Sequence, residues 1–470
     1  MTIKTHFIAL LSTLLLMTGC TKYLDVQPEG AYTEDQVFKN ESAVQQALNG
    51  LYIDLADNSL YGSALSNTNI EVLGQRYMTP FSGSLSFSYL QQYQYQQGSV
   101  QTEMDNLWKK AYTTILSANL FLSRIDGAIN GRVLTAANGN ILKGEALAIR
   151  ALLHFDLLRL FGPAHTEGAQ TPAIPYYTLA DGTSQPVLNS SQVLEKVIAD
   201  LNAAAALLAN DPITQAGLQN NANFYGGYRN QRLNFYAVKA LTARVYLWAG
   251  RSQEANAAAK AVLDAGERWF PWMPYSDIVS NANPDRIFSP EVLFAVYNPQ
   301  MYTNYTASFS PDVTELVILR PDPDRLSDIF EGNENDYRYT TTWLTTIQNY
   351  PTFFKFADPA DKTKTWRFLQ PMLRKSEMYY ILAETAANPQ TGIGYLNQVR
   401  HNRGLADLQP TADLAAELRK EYQKEFWGEG QLFFYYKRKR EGSVPSGMDV
   451  YSTVSPSYIV PLPLSETTPR

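Results

Sequence analysis

The chain has 470 residues and carries a net charge of −6. Its longest stretch rich in lysine and arginine is the short YYKRKRE at residues 435–441, so the charge pattern argues against nucleic acid as a partner. Charged residues make up 18% of the chain, below the usual level of about a quarter, whereas aromatic residues reach 12% and include 30 tyrosines. This composition favours a surface that stacks on neutral ligands or is buried against a partner.

The N-terminal segment has the layout of an export signal. Lys4 precedes the apolar run FIALLSTLLLM, which is too short to cross a bilayer as a helix and is followed by TGC, ending at Cys20, the single cysteine. This junction resembles a bacterial lipoprotein signal, in which the cysteine becomes the acylated first residue, although Met17 stands where leucine is usual. We therefore predict a signal peptide at 1–19, lipid attachment at Cys20 and a tether at 20–33. The alternative is a soluble secreted protein with an idle thiol.

A first helix is predicted from about Glu34, because Thr33 and the acidic residues after it form a helix start signal. Its apolar face carries Val37, Val44, Ala47, Leu48 and Leu51. Residues 57–101 lack this periodicity, since glycine, serine, asparagine, glutamine and tyrosine dominate there, as in YLQQYQYQQGS. We predict irregular structure with many aromatic rings over that segment.

Two long helices are predicted between Met104 and Leu160. In the second, ILKGEALAIRALLHFDLLRLFG, apolar residues three or four positions apart trace one continuous stripe. These residues are Leu142, Ala146, Ile149, Leu153, Leu157 and Leu160. Gly162 and Pro163 then end the helix.

Helical spacing resumes at 192–209 and at 233–265. Within the second range, residues recur at the offsets of a tetratricopeptide helix pair, in which small side chains let two helices approach closely. These residues are Ala243, Tyr246, Gly250 at the turn, Ala255 and Ala259. Thr242 occupies a position that usually holds leucine, so the match to the repeat is incomplete.

Residues 267–370 are rich in proline, aspartate, tyrosine and tryptophan, with one extended piece, EVLFAVY, and one helical piece, PDRLSDIF. Helices are then predicted at 373–387, 391–402 and 413–427, before a loop-like tail. The predicted fold is mainly α, with about four tetratricopeptide-like helix pairs and long irregular, loop-rich insertions. The helical scaffold covers about 34–56, 104–161, 190–266 and 372–428, and the irregular segments cover about 57–101, 267–370 and 429–470.

The sequence shows no motif of a catalytic or metal site. His154, His165 and His401 are scattered without metal-ligand spacing, and no phosphate loop or G-x-S-x-G motif occurs. His154 lies within a predicted helix and is interpreted as a packing or surface residue. A glycosidase needs only two carboxylates that meet in space, so the sequence neither excludes nor supports that enzyme class. We predict no catalytic residue and no cofactor.

Two sets of charged residues need a structural interpretation. The acidic stretch RPDPDRLSDIFEGNENDYRY could attract a hard cation, but it lacks the D-x-D-x-D-G calcium loop, so we interpret it as a solvated loop that caps a helix and predict no metal. Charged residues also lie within apolar helical segments, where we predict inter-helix pairs or solvated faces. The latter are Glu145, Arg150, Arg374, Glu377, Glu384, Arg419, Glu421, Glu425 and Glu429.

Several segments in chain order carry a shared pattern. They are YLDVQPEGAYTEDQVFKNESAVQQALNGLY, GEALAIRALLHFDLLRLFGP, RKSEMYYILAETAAN, YLNQVRHNRGL, EYQKEFWGEGQLFFYYKR and YIVPLPLSE. The second is similar to the helix G-E-A-x-x-x-R-A-x-x-x-F-D-L-x-R-x-F-G of the SusD/RagB family of surface nutrient-binding lipoproteins, and the others resemble that family's N-terminal and C-terminal signatures. Residues 435–438 depart from the usual family version, which contains an aspartate.

The resemblance implies that residues 34–470 form a single SusD-like domain with four tetratricopeptide-like helix pairs. It implies an outer-membrane lipoprotein that faces the exterior and partners a SusC-type, TonB-dependent β-barrel transporter. In the family the helical face packs on the barrel as a hinged lid and the irregular half presents the ligand site, so no enzyme activity is expected. Residues 21–25 lack the acidic cluster that often directs such lipoproteins outward, so surface exposure rests on the resemblance.

Ligand sites differ between members of this family, so we choose candidates from the loop aromatics of this sequence. Aromatic rings offer an apolar face to the C–H face of a sugar, and polar side chains satisfy its hydroxyls. The candidates are Tyr77, Phe81, Tyr89, Tyr93, Trp269, Trp272, Tyr275, Tyr302, Tyr305 and Trp343, with Glu71 and Arg76 as polar contacts. For each ring the alternative is packing in the core of a loop.

Three functional hypotheses follow. Low charge favours capture of a neutral oligosaccharide, and the peptide-importing branch of the same family is the first alternative. A membrane-tethered tetratricopeptide-type adaptor that binds only proteins belongs to a different class, with its aromatic residues serving as core. Lipid at Cys20 joins the protein to the membrane in each case.

Overall fold

The computed structural model describes residues 34–79, 85–279, 281–346 and 348–467. The predicted signal peptide, Cys20, the tether and Phe81 lie outside the described residues. Among the helices within these ranges, none combines the length and the apolar character that a membrane span requires.

The helices in chain order are α1 (Glu34–Val37), α2 (Glu41–Leu55), α3 (Asn69–Leu73), α4 (Leu85–Gln91), α5 (Gly98–Asn130), α6 (Ala136–Phe161), α7 (His165–Gly168), α8 (Ser190–Leu207), α9 (Ile213–Ala216), α10 (Phe235–Trp248), α11 (Ser252–Gly266), α12 (Tyr275–Ile278), α13 (Met301–Ser308), α14 (Pro323–Ile329), α15 (Tyr337–Thr342), α16 (Lys375–Glu384), α17 (Pro389–His401), α18 (Leu414–Glu425), α19 (Leu432–Lys439) and α20 (Leu464–Thr467). Short 3₁₀ turns occupy Arg229–Gln231 and Ser289–Glu291.

The strands are β1 (Pro172–Pro175), β2 (Val187–Asn189), β3 (Val292–Tyr297), β4 (Trp343–Thr345), β5 (Pro351–Phe353), β6 (Leu369–Arg374), β7 (Val444–Pro445) and β8 (Thr453–Val454). They form four separate antiparallel pairs, β1 with β2, β3 with β6, β4 with β5 and β7 with β8. In the longest pair, Val292 lies opposite Arg374 and Tyr297 lies opposite Leu369. This ladder brings the two ends of the 292–374 segment together.

Helix pairs form the scaffold, which confirms the predicted mainly helical, tetratricopeptide-like fold. The pairs are α2 with α5, α6 with α8, α10 with α11 and α16 with α17. Neighbouring pairs pack on each other through α5 and α6, α8 and α10, and α11 and α16. In the α10–α11 pair, Ala243, Ala255 and Ala259 are fully buried, and Gly250 turns with a φ of +72°, a conformation that favours glycine. The small residues therefore lie at the close helix contact that the spacing predicts.

Helix α6 lies at the centre of the scaffold. Thr135 caps its start and the chain leaves the helix at Gly162, as predicted. The helix is enclosed on all sides and not only along the predicted stripe, because even His154 is fully buried. His154 Nδ1 donates to the carbonyl of Arg150 at 2.9 Å and Nε2 accepts from the Tyr177 amide at 3.0 Å. Burial lowers the pKa of His154 to about 3, so this residue packs in the core as a neutral ring.

Several helix boundaries differ from the predictions. The helix predicted to run on from Glu34 is interrupted, because Asn40 caps a new helix, α2, by accepting the Ala43 amide at 3.2 Å. Helices α3, α4, α12, α13, α15, α19 and α20 lie in segments that we predict to be irregular. Helix α13 has no apolar periodicity, and packing of the buried Met301 and Tyr305 side chains stabilises it instead.

The acidic stretch at 320–339 caps helices, as interpreted, but it is not solvated throughout, because Asp336 is buried and pairs with Arg338. Asp322 accepts the Arg325 amide at 2.9 Å at the start of α14, and Asp336 accepts the Arg338 amide at 3.0 Å at the start of α15. Glu331 pairs with Lys420 at 2.8 Å, which joins this stretch to α18.

A buried charge cluster joins the 267–370 insertion to the last helices. It contains five basic and five acidic side chains, all buried. They are Arg338, Lys355, Arg374, Arg400 and Arg403, and Glu291, Asp336, Glu421, Glu425 and Glu429. Buried Lys424, 4.0 Å from Glu421, adds a sixth basic group at the edge of the cluster. The pairing of opposite charges and their mutual hydrogen bonds offset the cost of removing these groups from water.

Glu425 on α18 is the centre of this cluster. Its carboxylate accepts from Arg403 at 2.7 Å, from Arg338 at 2.8 Å and from Arg374 at 2.5 Å. Burial acts to raise the pKa of Glu425, but the three guanidinium groups hold that pKa well below its ordinary value. The charged form therefore contributes stability at neutral pH.

We predict that Glu425→Gln lowers the free energy of unfolding by about 3–5 kcal/mol at neutral pH, because the variant keeps the side-chain shape but leaves three guanidinium groups uncompensated. Urea unfolding followed by circular dichroism measures this change. The difference in the free energy of unfolding between wild type and variant should become smaller as the pH falls below 4.5, the ordinary pKa of glutamate. Below that pH the unfolded wild-type chain takes up a proton at this position, so wild-type stability decreases.

Lys260→Ala is the matched control, since its pair with Asp264 lies on the surface with side chains 58% and 61% exposed. This variant should change the free energy of unfolding by less than about 1 kcal/mol. Similar losses in the two variants would contradict a central role for Glu425.

Candidate ligand-binding groove

Five of the predicted ligand residues lie in the core. Glu71 and Arg76 form a buried ion pair at 3.0 Å, and burial raises the pKa of Glu71. Tyr77 is fully buried, and its hydroxyl donates to the carbonyl of Asn67 at 3.1 Å. Tyr305 and Trp343 are also buried. This placement agrees with the core-packing alternative, and a ligand contact at these five residues stays an untested prediction.

The candidates of the 267–370 insertion lie in separate surroundings. Trp269 lies beneath Arg268, with 4.2 Å between guanidinium and ring, and Trp272 lies beneath Lys375, with 3.8 Å between ammonium and ring. The side chain of Tyr275 is 59% exposed. Tyr302 is half-buried, and its ring lies 5.0 Å from that of Phe368. These contacts do not join the four rings into one shared platform.

A groove of about 340 Å³ lies between the first irregular segment and the C-terminal tail. Tyr93 is the candidate that lines it, and Tyr89 is half-buried in the same helix-to-loop region. The described residues that line the groove are Gln75, Thr79, Ser88, Gln91, Gln92, Tyr93, Ser446, Met448, Val454 and Ser455.

Two buried glutamines hold the floor of the groove. The Gln75 amide donates to the Gln91 carbonyl at 2.7 Å and accepts from the Gly447 amide at 3.2 Å, which joins the two walls. Gln91 donates to the Tyr77 carbonyl at 2.6 Å and accepts from the Thr79 hydroxyl. Because both amides are satisfied by the chain, Gln75 and Gln91 fix the shape of the groove.

Other polar groups lie at the rim. Gln92 is exposed, and its amide donates to the Ser88 carbonyl at 3.1 Å. The Tyr93 hydroxyl donates to the Leu73 carbonyl at 3.0 Å and accepts from Gln75 at 3.2 Å. Burial raises the pKa of Tyr93, so its hydroxyl stays protonated. Tyr93 has a φ of +57°, an uncommon conformation for a tyrosine, so the loop is held against a local backbone preference.

The groove is electrically neutral, because none of the described residues that line it is charged. Amides, hydroxyls and one tyrosine ring line it together with Met448 and Val454. Such a surface suits a neutral ligand that offers hydroxyl groups and apolar C–H faces.

Our sequence-based choice missed the glutamines. The run YLQQYQYQQGS shows the amide-rich character of this segment, whereas the sequence-based candidates in it are its tyrosines. The sequence alone gave no signal for the second wall at 446–455, since contacts far apart along the chain bring that wall to Gln75.

Two profiles of one family match this chain. The first, described as starch-binding and associating with the outer membrane, matches residues 22–247, and the second, the SusD family profile, matches residues 327–452. The chain belongs to the SusD/RagB family. This family is associated with the outer membrane.

Solved structures share the fold. A SusD superfamily protein from Bacteroides thetaiotaomicron covers 91% of this chain and 97% of its own, with a TM-score of 0.72 and 22% identity. A laminarin-binding SusD-like protein covers 86% of this chain and 92% of its own, with a TM-score of 0.63 and 18% identity. SusD-like protein P25 of Formosa agariphila is 25% identical over 200 residues, or 41% of this chain. The matches span less than half the length of the curated relatives.

We predict that Gln91→Leu lowers the free energy of unfolding of this SusD-family protein by about 1–3 kcal/mol, because it leaves the buried Tyr77 carbonyl and Thr79 hydroxyl without their partner. Urea unfolding measures the change. Gln92→Leu is the control, since Gln92 is the exposed neighbour, and its effect should lie within about 0.5 kcal/mol. Equal effects would show that Gln91 does not hold the groove.

Proposed function

We propose that this protein captures a neutral oligosaccharide outside the cell and acts as the lid of a SusC-type, TonB-dependent transporter. Membership of a family described as starch-binding and outer-membrane associated supports this proposal. The description of one structural relative as laminarin-binding is in line with it. The observation that carries the ligand class is the groove itself, whose described lining is uncharged and combines amides and hydroxyls with apolar surface.

The chemistry of the groove favours sugar over charged polymers. An amide can donate and accept at adjacent hydroxyls of a sugar ring, while Met448 and Val454 offer apolar surface to its C–H groups. A uronate or sulfate would leave its charge unpaired in this groove, at an energetic cost. We therefore propose a neutral oligosaccharide as the ligand.

Binding without catalysis is consistent with this arrangement. Glycoside hydrolysis generally uses two carboxylates flanking the scissile bond. The described lining of the groove contains no carboxylate. In the proposed function the barrel and its energy source carry out import, so the lid requires only binding.

The proposed anchor is lipid on Cys20, followed by the tether at 20–33, which places the domain at the outer membrane facing the exterior. One lipid-modified end would hold the protein while the lid swings about it. Capture of peptides and binding of proteins alone are the competing functions, and the following experiments separate them.

We predict that the double variant Gln92→Ala/Ser455→Ala binds a neutral oligosaccharide about tenfold more weakly than the wild type, equivalent to about 1.4 kcal/mol. Titration calorimetry with laminarihexaose and maltohexaose measures affinity, and oligogalacturonate serves as the charged probe. Gln46→Ala, a change of an exposed glutamine on α2, is the matched control and should bind as the wild type does.

Binding of a peptide panel without binding of any oligosaccharide would support the peptide-capturing alternative. If neither class binds, the protein-binding adaptor becomes the better interpretation. Equal affinity of the double variant and the wild type for the oligosaccharide would show that the groove is not the ligand site.

We predict that Cys20→Ala moves the folded protein from the membrane fraction to the soluble fraction, because the acylated residue is lost. Fractionation followed by immunoblotting measures this distribution.

The wild-type protein, purified from solubilised membranes through a C-terminal tag, should bring a large β-barrel protein with it. Firm membrane attachment of the variant would contradict the lipid anchor, and purification without a barrel would contradict the lid function.

A further inference from the structure

A second and larger cavity, of about 750 Å³, lies between α2, the 219–232 segment and the residues after β3. It shares none of its described lining residues with the groove. Its volume lies within the range of about 300–1,000 Å³ that is usual for ligand sites. The side chains that matter for its chemistry are Tyr52, Phe224, Tyr228, Gln231, Tyr297 and Gln300.

One wall of the cavity is rigid. The Asn223 side-chain oxygen accepts from the Gly226 amide at 2.8 Å, and the Asn223 backbone carbonyl accepts from the Gly227 amide at 2.7 Å. Any side chain at Gly227 would collide with the carbonyl of Asn221. Tyr228 has a φ of +46°, which is unfavourable for a tyrosine and persists where the surrounding structure imposes it. The segment therefore presents Tyr228 in a fixed, preformed position.

The floor of the cavity carries no free charge. Arg232 donates to Asn49 Oδ1 at 2.7 Å and to Glu145 at 3.2 Å, and its guanidinium lies 4.2 Å from the centre of the Phe224 ring. The Tyr52 hydroxyl donates to the same Glu145 carboxylate at 2.7 Å. Glu145 also pairs with the buried Arg229, which in turn pairs with Asp211, so two basic and two acidic groups balance each other beneath the cavity. The floor therefore offers stacked flat groups without attracting an anion.

The rim combines an open aromatic ring with unused amides. Tyr297 is 47% exposed, and its ring lies 5.3 Å from that of Phe368, which in turn contacts the predicted candidate Tyr302. The side-chain amides of Gln231 and Gln300 make no hydrogen bond within the described ranges of the chain. A ring that is supported on one face can stack on a sugar, and free amides beside it can form hydrogen bonds with the sugar hydroxyls.

We propose that this cavity is a second binding site for a neutral oligosaccharide, separate from the groove. The carboxylate end of a short peptide would find no free cation in the described lining, because Arg232 is already paired with Glu145. The acidic residue of that lining, Asp57, shares Lys110 with Asp54, at 3.9 Å against 2.6 Å. The inference shares its ligand class with the proposed function but does not require the groove to bind.

Titration calorimetry and saturation-transfer NMR with laminarihexaose, maltohexaose and cellohexaose test this site. We predict that Tyr297→Ala weakens binding of at least one of these probes about tenfold at this site, and that Gln231→Ala/Gln300→Ala does so independently. Tyr451→Ala is the control, since its ring is 91% exposed and lines neither the cavity nor the groove. Thermal unfolding of each variant checks that the fold is retained.

Comparison with Gln92→Ala/Ser455→Ala separates the two sites. Binding lost in the cavity variants and retained in the groove variant supports the second site, even if the groove fails to bind. Binding lost in the groove variant alone overturns the second site and leaves the proposed function intact. Absence of binding to all three probes, or binding of a peptide panel only, also overturns it.

Discussion

The pairing of Glu425 with three arginines holds the irregular insertion against the helical scaffold. Arg338 comes from the insertion, Arg374 from the end of β6 and Arg403 from the turn after α17. None of these charges could remain buried without the others, because an unpaired buried ion is costly. The cluster therefore makes the positions of three distant segments depend on one carboxylate on α18.

The groove depends on the same helix through a chain of contacts. Arg76 donates to the Tyr422 carbonyl of α18 at 3.3 Å, and its partner Glu71 accepts the Gly430 amide at 2.7 Å. Next to Arg76, Gln75 joins the first irregular segment to Gly447 in the tail. Glu71 and Arg76 thus support the groove from beneath. Their burial shows how two polar residues beside a candidate ligand segment stabilise the described fold.

Sequence patterns predicted those helices that have a marked end or small residues at a close contact. Gly162 ends α6, and Ala243 and Ala255 lie where α10 meets α11. The patterns failed where tertiary packing decides, as in α13, which has no apolar stripe. For the groove, the sequence shows a glutamine-rich segment, YLQQYQYQQGS. It does not show which of the side-chain amides face the C-terminal tail at 446–455. That choice depends on Gly447, far along the chain, so local sequence carries no signal for it.

Tyrosine has two roles in this protein, and exposure distinguishes them. Tyr77 packs against Phe309 and Trp427 and leaves no face open, whereas Tyr297 is backed by Phe368 and is 47% exposed. A ring that stacks on a sugar must be rigid on one face and open on the other, and only the second environment meets both conditions. The aromatic content of the chain therefore serves mainly its core. In the proposed function, recognition falls to the few rings at the boundary of that core and to the neutral amides beside them.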